Sequence, residues 1–266
     1  MHAPTLFKSA YAPAARARPV SRFKGGLSRK LARYVATKRV CARNERPLVS
    51  FTFDDVPETA FTHGARVLEG RGVRGTFYIA GGLCGTTEPE RRMISAADCV
   101  ELHRRGHEIG CHTFSHSMVQ ALDADSFAAE LDRNQEFFSS LVPGLKLENF
   151  CYPYGVASLP RKLQAQTRFH SCRGSQCGIN SGTIDLGLLS GIALDHATDS
   201  AKVVSAIDAT VRRNGWLILF THDVAPTPTW IGCTPEFLDA AIATALGRGC
   251  QVVTVREALR AIGSTP

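Results

Sequence analysis

No stretch of this 266-residue sequence is apolar for long enough to cross a membrane, and none near its start reaches the roughly 7 to 15 residues of a signal-peptide core. Both absences set the expectation of a cytoplasmic protein. The nine cysteines are an odd number and contain no Cys-x-x-Cys pair, so the reading is of reduced thiols rather than a zinc knuckle or a disulfide framework. No segment recurs at a period of roughly 20 to 50 residues, which argues against a solenoid. Acidic residues are nearly missing from one end. Residues 1–46 hold twelve Lys or Arg against a single acid, Glu45, so this segment carries +11 of a net +7 and the remainder is at −4. The body lacks the interleaved basic and aromatic residues of a groove reader, and no nucleic-acid partner is expected.

What is present falls into two parts, a basic N-terminal extension over residues 1–46 and a body over 47–266. Pro13, Pro19, Gly25 and Gly26 among scattered Ala and Arg give the first 25 residues or so too little apolar surface to order themselves, and mobility is expected there. From Leu27 to Val40 the pattern changes. Leu27, Leu31, Tyr34 and Val35 recur at helical spacing among Arg29, Lys30, Arg33, Lys38 and Arg39, which predicts a short basic amphipathic helix. Its expected use is packing on the outside of the main domain. A weak contact of residues 27–40 with a membrane or another acidic surface is the competing use.

Beyond Pro47, short β-rich runs alternate with helical patterns, which favours a parallel sheet or barrel. Strands are expected at 48–53, 75–80, 107–112, 149–152, 216–221 and 251–255, with a weaker one at 169–172. Helices are expected at 58–71, 95–105, 123–142 and 199–213, from Thr234 onward, and at the C-terminus. About seven strand–helix units fit a barrel, and in a barrel the residues just past the strand C-termini gather on one face. Asp54-Asp55, His112, Tyr154 and His222 all fall at such ends.

One carboxylate and two imidazoles can hold a divalent metal with a position left open for water, and a second carboxylate beside them can act as a base. Asp54-Asp55 together with His112-Thr113-Phe114-Ser115-His116 supplies that set, the outline of a metal hydrolase. Each piece alone has a bland explanation: a loop start or helix cap for the Asp pair, chance for His-x-x-x-His, a satisfied structural imidazole for His222. A second His-x-x-x-His, His103 and His107, is interrupted by Gly106, which should break a common helical face.

In their order, Thr52-Phe53-Asp54-Asp55, Gly75-Thr76-Phe77-Tyr78, Gly106-His107-Glu108-Ile109-Gly110 leading into His112 to His116, Tyr152-Pro153-Tyr154-Gly155 and Leu219-Phe220-Thr221-His222-Asp223 resemble the polysaccharide deacetylase family, the group sharing a NodB homology domain, also called carbohydrate esterase family 4. The resemblance implies a distorted (β/α)7-type barrel and metal-dependent removal of an acyl group from an acetylated carbohydrate. It implies Asp55, His112 and His116 as metal ligands, with Zn²⁺ the first expectation and other transition metals also suited. Asp54 would be the catalytic base and His222 the acid that protonates the departing amine. Pro153 would place the backbone N–H of Tyr154 on the oxyanion. Trp216 and Phe220 are candidate walls for the acyl methyl or the sugar, with core packing the competing use of Trp216.

The chain departs from the family pattern twice. Many members carry an Arg two residues before the Pro of the fourth motif to orient the base, and here that position is Cys151. Arg173, in the Cys-Arg-Gly turn after the next strand, is the candidate replacement. The Asp that tunes the acid histidine normally lies in an Asp-Trp-like context, which Asp195 lacks although its distance is suitable; a surface Asp is its competing reading. The reaction expected is removal of an N-acetyl group from an amino-sugar unit, with an O-acetyl esterase or deformylase, and a non-catalytic carbohydrate-binding barrel, as the alternatives.

Overall fold

The computed structural model describes residues 22–264, so most of the segment expected to be mobile lies outside the described residues. In chain order the strands are β1 (Arg39–Cys41), β2 (Leu48–Asp54), β3 (Thr76–Ile79), β4 (Glu108–Cys111), β5 (Asn149–Cys151), β6 (Ser171–Arg173), β7 (Thr183–Asp185), β8 (Ile192–Ala193), β9 (Trp216–Thr221) and β10 (Gln251–Val252). The helices are α1 (Arg22–Tyr34), α2 (Arg66–Gly70), α3 (Ala96–Arg104), α4 (Ala124–Leu141), α5 (Leu159–Ala165), α6 (Ser200–Arg213), α7 (Pro235–Gly247) and α8 (Val255–Ala261). The main sheet runs β6-β5-β4-β3-β2-β9-β8 with every pairing parallel, and β10 joins the start of β2. A parallel bridge joins Arg173 of β6 to Leu189, three residues before the other edge strand β8, as the sheet curls into a distorted half-barrel of the expected kind.

All seven residues of β2 are buried, as expected of a parallel strand covered on both faces. Side chains alternate along it. Val49, Phe51 and Phe53 join Leu217 and Leu219 in the larger core, where Phe53 stacks on Phe77 at 4.5 Å. Leu48, Trp216 and Ile218 point the other way and meet Val255, Ala258 and Leu259 of α8. Helix α8 therefore closes the barrel at the strand starts, which leaves the strand ends for chemistry.

A buried polar network fixes that plug. The Glu108 carboxylate accepts from Thr76 Oγ1 at 2.8 Å, Asn149 Nδ2 at 2.6 Å and the Arg256 backbone N–H at 2.8 Å. Burial pushes the Glu108 carboxyl above its ordinary value, against these hydrogen bonds. Replacing Glu108 by Ala strands several buried donors, and a loss of about 3 kcal/mol of stability is expected. Urea unfolding measures it, with Glu108→Gln losing less because an acceptor oxygen remains. A Glu108→Ala midpoint equal to wild type contradicts this role.

Of the N-terminal extension, the described part supplies α1 and β1. The expected helix over 27–40 ends at Tyr34, because Val40 is drawn into antiparallel pairing with Ile184 of β7. Its packing also differs from the expected stripe: Ala32 is buried, whereas Leu31, Tyr34 and Val35 are exposed. The fastening is polar. Fully buried Lys162 on α5 donates to the carbonyls of Ala32 at 2.8 Å and Val35 at 2.7 Å and pairs with Asp185 of β7 at 2.5 Å.

Candidate active site

Five residues of the strand-end loops hold left-handed backbone conformations without being glycine: Asp55 (φ 58°), Val56 (φ 61°), Thr113 (φ 58°), His116 (φ 51°) and Tyr154 (φ 60°). Such conformations are costly, most of all for β-branched Val56 and Thr113, and persist where surrounding structure enforces them, commonly at functional sites. The enforcement is visible around His116. Buried Glu130 on α4 accepts from the backbone N–H groups of Phe114 at 3.1 Å and Ser115 at 2.7 Å and from Ser115 Oγ at 3.0 Å, while Thr113 Oγ1 accepts from Ser117 N at 3.1 Å.

These turns bring Asp55, His112 and His116 together, with one ligand atom from each lying within 4.8 Å of the others. Asp55 Oδ1 is 3.3 Å from His112 Nε2 and 3.0 Å from His116 Nε2, yet it is buried and forms no well-aligned hydrogen bond. His112 is oriented from behind, since its Nδ1 lies 2.8 Å from the carbonyl of Cys151 and donates to it, which turns the Nε2 lone pair toward Asp55. One orphaned carboxylate oxygen facing two imidazole nitrogens is a donor set that fits a divalent cation. Burial alone would raise the Asp55 carboxyl, but the two imidazoles against it hold it far below the ordinary carboxylate range.

Asp54 turns to a different partner. The Arg173 guanidinium binds both of its carboxylate oxygens through Nη2, and the same nitrogen lies 2.9 Å from Cys151 Sγ. Arg173 is itself buried, between the rings of Phe220 at 4.6 Å and Tyr78 at 5.4 Å. Although burial raises the Asp54 carboxyl, the charges of Arg173, His112 and His222 outweigh it, and its pKa is lowered. Asp54 is thus held ionised. The Cys151 thiol lies 3.6 Å from Asp54 Oδ2, and Arg173 reaches Asp54 from the neighbouring strand, opposite Cys151 in the β5–β6 register.

His222 follows β9, and its Nδ1 lies 3.2 Å from the carbonyl of Ile231. Burial lowers its pKa, while the nearby Asp54 and Asp55 charges pull it back up. Tyr154 is exposed, its ring 4.7 Å from that of His116, and Pro153 before it is buried.

Two of the candidates lie elsewhere. Trp216 opens β9, at the far end from His222; it is fully buried and its indole N–H donates to Ser50 Oγ at 3.0 Å, so it packs the barrel interior and walls no site. Asp195 accepts from the Ala197 N–H at 3.1 Å and Thr198 Oγ1 at 2.9 Å, a local turn without a hydrogen bond to His222. His107 is also structural: its Nδ1 accepts from Gly75 N at 3.1 Å and its Nε2 meets Glu69 at 2.9 Å.

Sequence reading missed Arg91. Its Nη1 lies 3.2 Å from Asp55 Oδ2, and its Nη2 binds Glu88 at 2.7 Å. The two oxygens of Asp55 are thereby divided, Oδ2 toward Arg91 and Oδ1 toward the imidazoles. Nothing in the Thr-Glu-Pro-Glu-Arg-Arg stretch signals this, because the contact joins two loops 36 residues apart.

A sequence model of the family described as polysaccharide deacetylase matches residues 42–169. A chitin deacetylase of Arthroderma benhamiae is 24% identical over 215 residues, 79% of this chain and 51% of that protein, so the chain spans about half the length of this curated relative. Among solved structures, a family 4 acetyl xylan esterase from Clostridium thermocellum in complex with a cobalt ion is 26% identical with a TM-score of 0.59, covering 82% of this chain and 93% of its own. The Xyl-CE4 domain of a multidomain xylanase from the hindgut metagenome of Trinervitermes trinervoides has the same fold at 19% identity and a TM-score of 0.59, covering 84% and 94%. The matched segment carries four of the motifs in the order of that family and the fifth, Leu219 to Asp223, follows it, so what this chain is similar to, over residues 42–169 of its sequence, is the polysaccharide deacetylase family.

Proposed function

We propose that the protein is a metal-dependent deacetylase that hydrolyses the N-acetyl group of an amino-sugar unit in an oligosaccharide, a polysaccharide or its precursor. The observation that carries this reading is the division of labour between adjacent carboxylates: Asp55 faces His112 and His116 with an unpaired oxygen, and Asp54 is kept ionised by Arg173. Asp55, His112 and His116 would hold a divalent ion, with zinc the first choice, and its chemistry there would be Lewis acidity toward water and the acetyl carbonyl.

The chain's own groups do the rest. Asp54 takes the proton of the attacking water, since its carboxylate is anionic and fixed in direction by Arg173. The backbone N–H of Tyr154 donates to the oxygen that becomes negative. His222 gives a proton to the departing nitrogen, a step an amide requires because an amide anion leaves very poorly. The hydrogen bond from His222 Nδ1 to the Ile231 carbonyl fixes the ring and leaves Nε2 to deliver the proton, with the Asp54 and Asp55 charges favouring the imidazolium against the burial that lowers its pKa.

An O-acetyl esterase is the second reading, favoured by the acetyl xylan esterase among the structural neighbours. Comparing acetate release from N-acetylglucosamine oligomers with release from acetylated xylan separates the two. Higher kcat/KM on the oligomers is expected, and release from xylan alone overturns the first reading.

The sequence-based cytoplasmic setting and the surface contact of residues 27–40 belong to the same proposal. No helix among the described residues is long and apolar enough to cross a membrane. Leu31, Tyr34 and Val35 lie exposed on or just beyond α1, beside Arg29, Lys30 and Arg33, and so remain available to such a surface.

A further inference from the structure

The geometry points to a second sugar-binding position beside the active site, where the pyranose ring next to the one being deacetylated stacks on Trp230. It rests on the reading of the site as a sugar deacetylase. Trp230 is 75% exposed, although a large ring usually finds cover in a folded chain. Its exposure does not come from a loose loop. The Asp223 carboxylate accepts from Thr229 N at 2.7 Å and Thr229 Oγ1 at 2.5 Å, and Cys233 N donates to the Asp223 carbonyl at 3.0 Å. Gly232 packs so closely on Asp223 that a Cβ there would lie 2.3 Å from its carboxylate, so only glycine closes the loop this way. Pro226 and Pro228 restrict the remaining backbone. The indole is presented in advance, which lowers the entropic cost of binding.

Two links make the position continuous with the catalytic centre. Ile231, next to Trp230, holds His222 through its carbonyl, and Arg91 on the facing wall contacts Asp55. Between these walls lies a recess of about 350 Å³ lined by Glu88, Pro89, Glu90, Arg91, Thr229, Trp230 and Ile231. That volume is near the lower end for small-molecule pockets and suits one sugar ring.

The lining selects the kind of ring. An indole face takes the apolar C–H face of a pyranose, and the carboxylates of Glu88 and Glu90 can accept its hydroxyl or amino hydrogens. Among the described residues of the lining Arg91 is the single cation, and Glu88 and Asp55 already pair it, so a uronate or phosphate finds no free positive partner among them. A neutral or amino-bearing unit of an amino-sugar chain is the occupant that fits.

The chain's two tryptophans make the test direct, because Trp216 is fully buried and Trp230 is not. The zinc-loaded protein is titrated with a tetramer of N-acetylglucosamine while tryptophan emission is followed, and the same titration is run on Trp230→Ala and Trp230→Phe. A saturable blue shift is expected in the wild type and in neither variant. In turnover of the tetramer, Trp230→Ala is expected to raise KM roughly tenfold, as for loss of one stacking contact, with kcat little changed and Trp230→Phe closer to wild type. A wild-type KM in Trp230→Ala, or wild-type emission indifferent to the tetramer, overturns the proposal. Absence of acetate release by the wild type overturns the deacetylase reading instead, and the emission titration then decides this inference alone.

Discussion

Substituting Asp54 by Asn is expected to lower kcat on an N-acetylated oligosaccharide by about 10²- to 10⁴-fold, the range for removing a positioned general base. Zinc affinity should change little, because the cation-facing oxygen belongs to Asp55 and Asp54 is engaged by Arg173. The amide of Asn keeps an oxygen for the guanidinium but cannot accept a proton at neutral pH. Kinetics paired with a zinc-binding titration separate the roles. If Asp54→Asn abolished zinc binding, the assignment of base and ligand within the Asp54-Asp55 pair would be reversed.

The second large effect is expected at Arg173. Arg173→Met keeps much of the volume between Tyr78 and Phe220 but leaves the buried Asp54 carboxylate without its counter-charge. Breaking a buried pair in this way costs about 3 to 5 kcal/mol of stability. The sign of the pH effect follows from Asp54. Its folded pKa is lowered, so the stability it contributes is present above the ordinary value of 3.8 and is lost as pH falls through the lower folded value. In Arg173→Met, burial prevails and the Asp54 pKa rises, so the acidic limb of kcat/KM moves to higher pH. This shift marks Arg173 as a positioning residue, since a purely structural substitution would lower stability and leave the limb in place. An unmoved limb with wild-type kcat would remove Arg173 from the account.

Much of this arrangement is legible from strand ends. In a parallel barrel the chemistry lies past the C-terminus of each strand, and the apolar runs leading to Asp54, His112 and His222 identify those ends without any three-dimensional information. Arg173 could be singled out because Cys151 stands where many relatives carry arginine, and the next strand offers one beside it. The same logic accounts for Trp216, where core packing, and not the wall of a site, is the use the structure shows. A residue five positions before the end of a strand lies about 17 Å from it at roughly 3.3 Å per residue, so sharing the strand of His222 places Trp216 at the other end of the barrel.

Arg91 and Glu130 were not legible because they act across loops. Glu130 lies on an otherwise ordinary amphipathic helix and stabilises the turn bearing His116 from 15 residues away. Strands β1, β7 and β8 were missed for another reason. With two or three residues each, they show too little alternation to register as strands, and their pairing depends on contacts distant in sequence, such as Val40 with Ile184.

The central claim is that Asp55, His112 and His116 hold a divalent ion on which amide hydrolysis depends. Acetate release from N-acetylglucosamine oligomers, measured before chelation, after chelation and after stoichiometric zinc is returned, tests it most directly. The account predicts release that vanishes with the metal, returns with zinc, and does not return in His116→Ala. Release that survives chelation, or that zinc restores fully in His116→Ala, would contradict it.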